Sequence, residues 1–197
     1  MATPKDRYSI AAIALHWLMA ALLIASIGVA WCFDDLRGAA KIAPLELNRW
    51  IGITVLLVSL GRLALHPASP RPSPASLTGW ERALSKSVQV LFYLAVISLP
   101  PSGWVMVSVG PRLVQTLMMV FHTIAWPAIG PLTAVPAAQV HGTHDFFEGA
   151  HGVLCKLAYG LIALHVAGAL KHRFIDGDDV VARMAPWLKR GAAAPAR

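Results

Sequence analysis

Long apolar runs separated by short polar segments dominate this chain. Four of the runs have about the 17–25 residues that a helix needs to cross the hydrocarbon core of a bilayer: Tyr8–Trp31, Leu47–Leu65, Ser87–Val107 and Gly149–Leu170. Because backbone polar groups in lipid must be satisfied within their own segment, we expect these runs to be helices. The pattern predicts an all-α fold, an integral membrane four-helix bundle. The mean hydropathy of +0.58 excludes an ordinary soluble domain.

The segments between the apolar runs differ in character. The loop His66–Lys86 is rich in proline and serine and is expected to be an extended linker. The long stretch before the fourth run has an apolar middle, Leu113–Trp126, that is shorter than a membrane crossing and is followed by prolines. We expect a short interfacial or re-entrant helix there, in the outer loop between helices 3 and 4. Residues 1–187 form the membrane domain, and the basic residues 188–197 are expected to be a disordered tail.

The lysines and arginines predict the orientation of the bundle. With the N-terminus inside, the inner segments hold twelve of them and the outer segments hold four, Arg37, Lys41, Arg49 and Arg112. This bias favours both termini in the cytoplasm. It also accounts for most of the net charge of +7. The expected partner is therefore the lipid bilayer, and no nucleic acid is needed to explain the charge.

Two histidines share one face of the fourth apolar run. His151 and His165 are fourteen residues apart, so in a helix they differ by only about 40° in direction and lie about 21 Å apart along the axis. Imidazoles at two membrane depths are costly and favour a functional role, such as holding two cofactors in tandem. The alternative is that each histidine lies near a helix end and hydrogen-bonds a neighbouring helix.

A third histidine can meet the second at one membrane depth. His16 lies in the cytoplasmic half of the first run, and His165 lies in the cytoplasmic half of the fourth. Two imidazoles from facing helices can supply both axial ligands of a six-coordinate haem iron. Structural zinc is a weaker hypothesis, because it needs four ligands and no further Cys or His is expected at this depth.

Several motifs resemble the bacterial cytochrome b561 family, the four-helix b-type cytochromes that include superoxide oxidase and the cytochrome b subunits of nickel-iron hydrogenases. The resemblance covers about residues 7–187. The most specific stretch is Leu164-His165-Val166-Ala167-Gly168-Ala169-Leu170-Lys171-His172. The others are Ala14-Leu15-His16-Trp17, Gly52-Ile53-Thr54-Val55 with Arg62-Leu63, Leu99-Pro100-Pro101-Ser102-Gly103-Trp104 and Phe174-Ile175-Asp176 with Arg183-Met184 and Pro186.

The resemblance implies two haems b with four histidine ligands. His16 and His165 match the inner pair, and His151 matches one outer ligand. The other outer ligand, a histidine of helix 2, falls on Asn48 here, and an amide is a poor ligand for haem iron. Three interpretations stay open: the outer haem is absent, it is five-coordinate on His151, or a histidine of the outer loop replaces the missing ligand. The loop candidates are His122, His141 and His144.

The resemblance also implies a quinone site and a function. His172 lies one to two turns beyond His165, where it would hydrogen-bond ubiquinone; alternatively it is a positively charged anchor at the membrane surface. The implied function is electron transfer to or from the quinone pool in the bacterial inner membrane, including superoxide:quinone oxidoreductase activity. The alternative is a non-catalytic cytochrome b subunit that relays electrons for a periplasmic or peripheral redox partner. The sequence leaves open whether the protein is an enzyme.

Overall fold

The computed structural model describes residues 8–34, 36–65, 78–109, 119–177 and 180–188. Within these residues the elements follow in the order α1 (Ile10–Asp34), α2 (Ile42–Leu65), α3 (Gly79–Val109), β1 (Met119–Val120), β2 (Ile124–Ala125), α4 (Gly130–Thr133), α5 (Ala137–Phe174) and α6 (Val180–Met184). Short 3-10 turns at Gly38–Lys41 and Pro186–Leu188 precede α2 and follow α6.

The four long helices α1, α2, α3 and α5 are each long and apolar enough to span a membrane. In the bundle α1 packs on α2, α2 on α3, and α3 on α5. The central cluster takes one buried side chain from each of the first three helices: Met19, Val55 and Val96. Most other apolar side chains of these helices are half-buried or exposed, as expected where lipid covers the outer surface. The expectation of an all-α membrane bundle is confirmed; its orientation stays a prediction.

Local capping explains where two helices begin. The Ser9 hydroxyl oxygen accepts a hydrogen bond of 3.2 Å from the Ala12 N–H, which caps α1. At α3, the Glu81 carboxylate accepts from both the backbone N–H and the hydroxyl of Thr78, and the first of these is one of the two hydrogen bonds of a capping box. The helix therefore begins at Gly79, and the expected linker as far as Lys86 is wrong for its last eight residues. Residues 66–77 of that linker lie outside the described residues.

Helix α5 is much longer than the apolar run that predicted it. It has 38 residues, about 57 Å at 1.5 Å per residue, against a hydrocarbon core of about 30 Å. Its start follows Pro136, whose ring is unsuited to a helix interior but tolerated at the boundary. His141 and His144 therefore lie in the first turns of a helix, and their expected position in a loop is wrong.

The outer connection does not form the helix expected over Leu113–Trp126 in its described part. Residues 110–118 lie outside the described residues, and the following residues form an antiparallel pair of two-residue strands, β1 and β2. The backbone is held by indole groups of the long helices: Trp50 Nε1 donates to the Met119 carbonyl oxygen and Trp104 Nε1 to that of Pro127, both at 2.8 Å. These side-chain donors replace the bonds that a helix would have made internally.

The C-terminal residues fold back against the inner end of α1. Trp17 Nε1 donates a hydrogen bond of 2.8 Å to the Met184 carbonyl oxygen. The Trp17 and Trp187 rings pack at 5.6 Å between centroids, and Ala182 and Ala185 are buried. The segment Val180–Leu188 thus covers the end of the bundle next to His16. Of the predicted disordered tail, residues 188–197, Leu188 belongs to the 3-10 turn and residues 189–197 lie outside the described residues.

Candidate functional site

The inner level of the bundle brings His16 and His165 together, as the sequence predicted. His16 is presented by α1 and His165 by α5, and their ring centroids are 6.0 Å apart with the ring planes at 59°. Phe92 of α3 packs edge-on against His165 at 5.7 Å. Arg62 of α2 lies near both imidazoles. All four long helices therefore contribute a side chain at this level.

This arrangement fits a haem iron held between two imidazoles. Imidazole nitrogen binds first-row metal ions at about 2 Å, so two imidazoles that share one metal ion would have their ring centroids about 6 Å apart. The observed 6.0 Å between His16 and His165 matches that requirement. Arg62 adds a guanidinium, the group that pairs best with the carboxylates a haem carries. The donor set is two nitrogens, too few for a structural zinc ion.

At the outer level, His151 is held in the tautomer that can bind a metal ion through Nε2. The Ser102 hydroxyl donates its hydrogen to the Leu99 carbonyl oxygen at 2.7 Å. Its contact of 2.7 Å with His151 Nδ1 must then be one in which Ser102 accepts and Nδ1–H donates. The lone pair of neutral His151 is therefore on Nε2. Sequence reasoning missed Ser102; its place beside the Pro100-Pro101 pair on α3 was the available signal.

Asn48 stands where the family pattern has the second outer histidine ligand, and its side chain already has a hydrogen-bond partner. Asn48 Oδ1 accepts a hydrogen bond of 2.7 Å from Ser26 Oγ, which joins α2 to α1. The amide oxygen is thus used in a contact between helices. The outer level therefore does not fit a haem held by two histidines, one from α2 and one from α5.

Two of the three histidines proposed as replacements have other neighbours in the structure. His122 lies in the turn between β1 and β2, where its ring packs edge-on against Trp50 at 4.7 Å. His144 Nδ1 is 3.8 Å from carboxylate oxygens of Asp145 and Glu148, in an exposed cluster on the first turns of α5. Among the described residues, no recorded contact joins His122, His141 or His144 to His151.

The inner end of α5 carries the last predicted site residue, His172. Its Nδ1 lies 3.0 Å from Asp176 Oδ2, and its side chain is mostly buried. The neighbouring Lys171 forms ion pairs with Asp176 at 2.8 Å and with Glu81 of α3 at 2.6 Å. The two acidic residues were missed by sequence reasoning. Asp176 follows His172 at the i, i+4 spacing that places side chains together on a helix, which was a usable signal.

A four-helix membrane bundle with two imidazoles facing each other across it is an architecture of membrane cytochromes. The family model described as prokaryotic cytochrome b561 matches residues 7–187. The chain belongs to this family. It is therefore a bacterial membrane electron-transfer protein of a family that carries b-type haem and works with quinones.

Curated relatives are similar over nearly the whole chain. A Yersinia pestis protein named "probable superoxide oxidase CybB" is 26% identical over 198 residues, covering 94% of this chain and 98% of the relative. Cytochrome b561 homolog 2 of Escherichia coli is 26% identical, covering 91% of each chain. Cytochrome b561 homolog 1 of the same organism is 22% identical, covering 93% of this chain and 99% of the relative.

Proposed function

We propose that this protein is a haem b cytochrome of the bacterial inner membrane that exchanges electrons with the quinone pool at its cytoplasmic side. The observation that carries the proposal is the pair His16 and His165, 6.0 Å apart between ring centroids on facing helices. A b-type haem held by these two residues supplies one-electron redox chemistry without ligand exchange. Phe92 and Arg62 complete its surroundings.

The proposed acceptor is ubiquinone at the inner end of α5. His172 is seven residues beyond His165, about two turns and about 10 Å along the same helix face. Its contact with Asp176 supports a role in hydrogen-bonding and protonating a quinone carbonyl group. The name of the Yersinia relative supports superoxide as a donor, which makes superoxide:quinone oxidoreductase the finer form of the proposal.

The ligands available at the outer level affect whether superoxide:quinone oxidoreductase activity is feasible. Superoxide arriving at the outer face needs a redox centre there, and the proposed centre of His16 and His165 lies on the inner side. Since Asn48 is engaged with Ser26, we propose one low-spin haem at the inner level. We propose that the outer level is empty or five-coordinate on His151, since none of the contacts among the described residues joins His122, His141 or His144 to it; completion by one of these three histidines is the alternative.

The experiment that tests the proposal measures haem per polypeptide by pyridine haemochrome assay, together with oxidised and reduced spectra. One low-spin haem per chain is expected. Turnover of superoxide or quinol by the purified protein then decides whether it is an enzyme. A protein without haem, or one whose haem spectrum is high-spin throughout, contradicts the proposal.

A second candidate function is a non-catalytic cytochrome b subunit that relays electrons for a periplasmic or peripheral redox protein. The observation that favours it is the outer turn of β1 and β2. There Phe121 and His122 both have positive φ, 52° and 56°, a strained conformation of the kind found at functional sites, and the Phe121 side chain is exposed. Co-purification with a dehydrogenase or c-type cytochrome, without turnover by the isolated protein, would favour this function.

A further inference from the structure

Four charged or ionisable side chains connect the start of α3 with the end of α5. Lys171 Nζ donates to Glu81 Oε1 at 2.6 Å and to both carboxylate oxygens of Asp176, at 2.8 and 3.0 Å. Asp176 Oδ2 also lies 3.0 Å from His172 Nδ1. Glu81 is fixed in turn because its carboxylate accepts hydrogen bonds from the backbone N–H and the hydroxyl of Thr78.

Backbone hydrogen bonds also fix the position of Asp176. The N–H groups of Ile175 and Asp176 both donate to the Lys171 carbonyl oxygen, at 2.8 and 3.0 Å, as the chain leaves α5. The next residue, Gly177, has φ of +68°, the left-handed conformation that ends many helices and that glycine adopts without strain. The carboxylate of Asp176 is therefore placed by the helix end itself, against both Lys171 and His172.

We propose that Asp176 is the positioning residue for His172, a step that rests on the proposed quinone role of that histidine. A carboxylate at Nδ1 keeps a proton on that nitrogen and stabilises the imidazolium form. His172 Nε2 is then the atom that faces a ligand: it accepts a hydrogen bond when the ring is neutral and donates one when the ring is protonated. Lys171 holds the Asp176 carboxylate in place through their ion pair of 2.8 Å.

The chemistry that this pair supplies is proton delivery. Reduction of one quinone to quinol takes two electrons and two protons. The redox centre of the proposed function would supply one electron at a time, so each quinol needs two deliveries, with the electron donor (dithionite in the test below) re-reducing the centre between them. Each proton passes from His172 Nε2 to a quinone carbonyl oxygen, and water at the cytoplasmic surface then reprotonates the ring. Asp176 exchanges no proton in this scheme; its role is to orient the imidazole through the contact of 3.0 Å with Nδ1.

The test follows reoxidation of the dithionite-reduced, haem-loaded protein by a short-chain ubiquinone, with the haem absorption as the signal. Asp176→Asn keeps the size of the side chain but removes its charge. We expect a fall of about tenfold or more in the maximal rate, within the range of general acid–base effects, with a much smaller change in half-saturating quinone concentration. Asp176→Glu is expected to restore part of the rate. The haem spectrum should be unchanged in both.

The matched control is Asp145→Asn. Asp145 is also a carboxylate beside a histidine, 3.8 Å from His144, but it is exposed on the first turns of α5. The same chemical change at this position should leave the quinone rate at the parental value. A loss equal to that of Asp176→Asn would overturn the proposal.

Two further variants separate this inference from the function on which it rests. If Asp176 acts through His172, the double variant His172→Ala with Asp176→Asn should be no slower than His172→Ala alone. Independent losses that multiply would overturn the positioning role. A normal rate in Asp176→Asn together with a slow His172→Ala also overturns it, while the quinone site stands. A normal rate in His172→Ala removes the proposed quinone role itself.

Discussion

Ser26 Oγ donates a hydrogen bond of 2.7 Å to Asn48 Oδ1 and so joins α1 to α2. Both side chains are half-buried. A buried amide needs such a partner, because an unpaired polar group in an apolar bundle costs several kcal/mol. Asn48 therefore has two aspects: it replaces a histidine of the family's ligand pattern, and it takes part in the packing between two membrane helices.

The first prediction concerns Asn48→His. The new imidazole would stand in the position that matches the family's missing ligand, while His151 already has its lone pair on Nε2. We expect haem content to rise from about one towards two per polypeptide, or a high-spin signal to become low-spin. Pyridine haemochrome assay and electron paramagnetic resonance measure the two outcomes.

Ser26→Ala is the control for that change. It removes the same hydrogen bond without adding a ligand, and we expect a loss of about 1 kcal/mol in stability with unchanged haem content. If the unmodified protein already holds two low-spin haems, and changes at His122, His141 and His144 alter neither, the interpretation of Asn48 as a lost ligand is wrong.

The second prediction concerns the inner histidines. His16→Ala or His165→Ala removes one of two axial ligands, so each single variant should lose the low-spin spectrum or most of the bound haem. The control is His144→Ala, which changes a half-buried imidazole at the other end of the same helix as His165. A complete bis-imidazole signal in both inner variants would reject this pairing.

The positions of two histidines in their apolar runs were enough to predict that they lie close together, while their role as haem ligands stays a prediction. The depth of His16 and His165 in their apolar runs placed them at one level, and the structure brings their rings together. The same reasoning could not predict the partners of His151 and Asn48. Hydrogen bonds from Ser102 and Ser26 depend on how α3 and α1 are rotated, which packing decides and sequence spacing does not show.

Helix ends were predicted less well, for two different reasons. The start of α3 at Gly79 is encoded locally by Thr78 and Glu81, whose T-x-x-E spacing was overlooked beside a proline-rich loop. The strands β1 and β2, by contrast, depend on distant donors, since Trp50 and Trp104 bind their flanking carbonyl groups. No local sequence pattern between residues 113 and 126 indicates these hydrogen bonds from the two indole groups.

The third prediction concerns the C-terminal segment. Trp17→Phe keeps an aromatic ring but removes the donor to the Met184 carbonyl oxygen, worth about 1 kcal/mol. The segment Val180–Leu188 should open more often, and trypsin should cleave faster after Arg183. Trp80→Phe, at an exposed indole near the start of α3, is the matched control. Equal cleavage rates for Trp17→Phe and the parent would show that this hydrogen bond does not hold the segment closed.

The last prediction tests the tautomer of His151 and is made in the Asn48→His background. There, His151 Nε2 would have an imidazole partner across the bundle, and Ser102 would orient the ring by accepting from Nδ1–H. Partners of this kind typically affect metal affinity by 10–100-fold when they are removed. Adding Ser102→Ala should therefore weaken the second haem by about tenfold, measured by haem titration, while the inner haem keeps its spectrum. Ser102→Thr retains the hydroxyl and should retain the affinity. Equal second-haem affinity with and without the Ser102 hydroxyl would mean that the contact does not prepare His151 as a ligand.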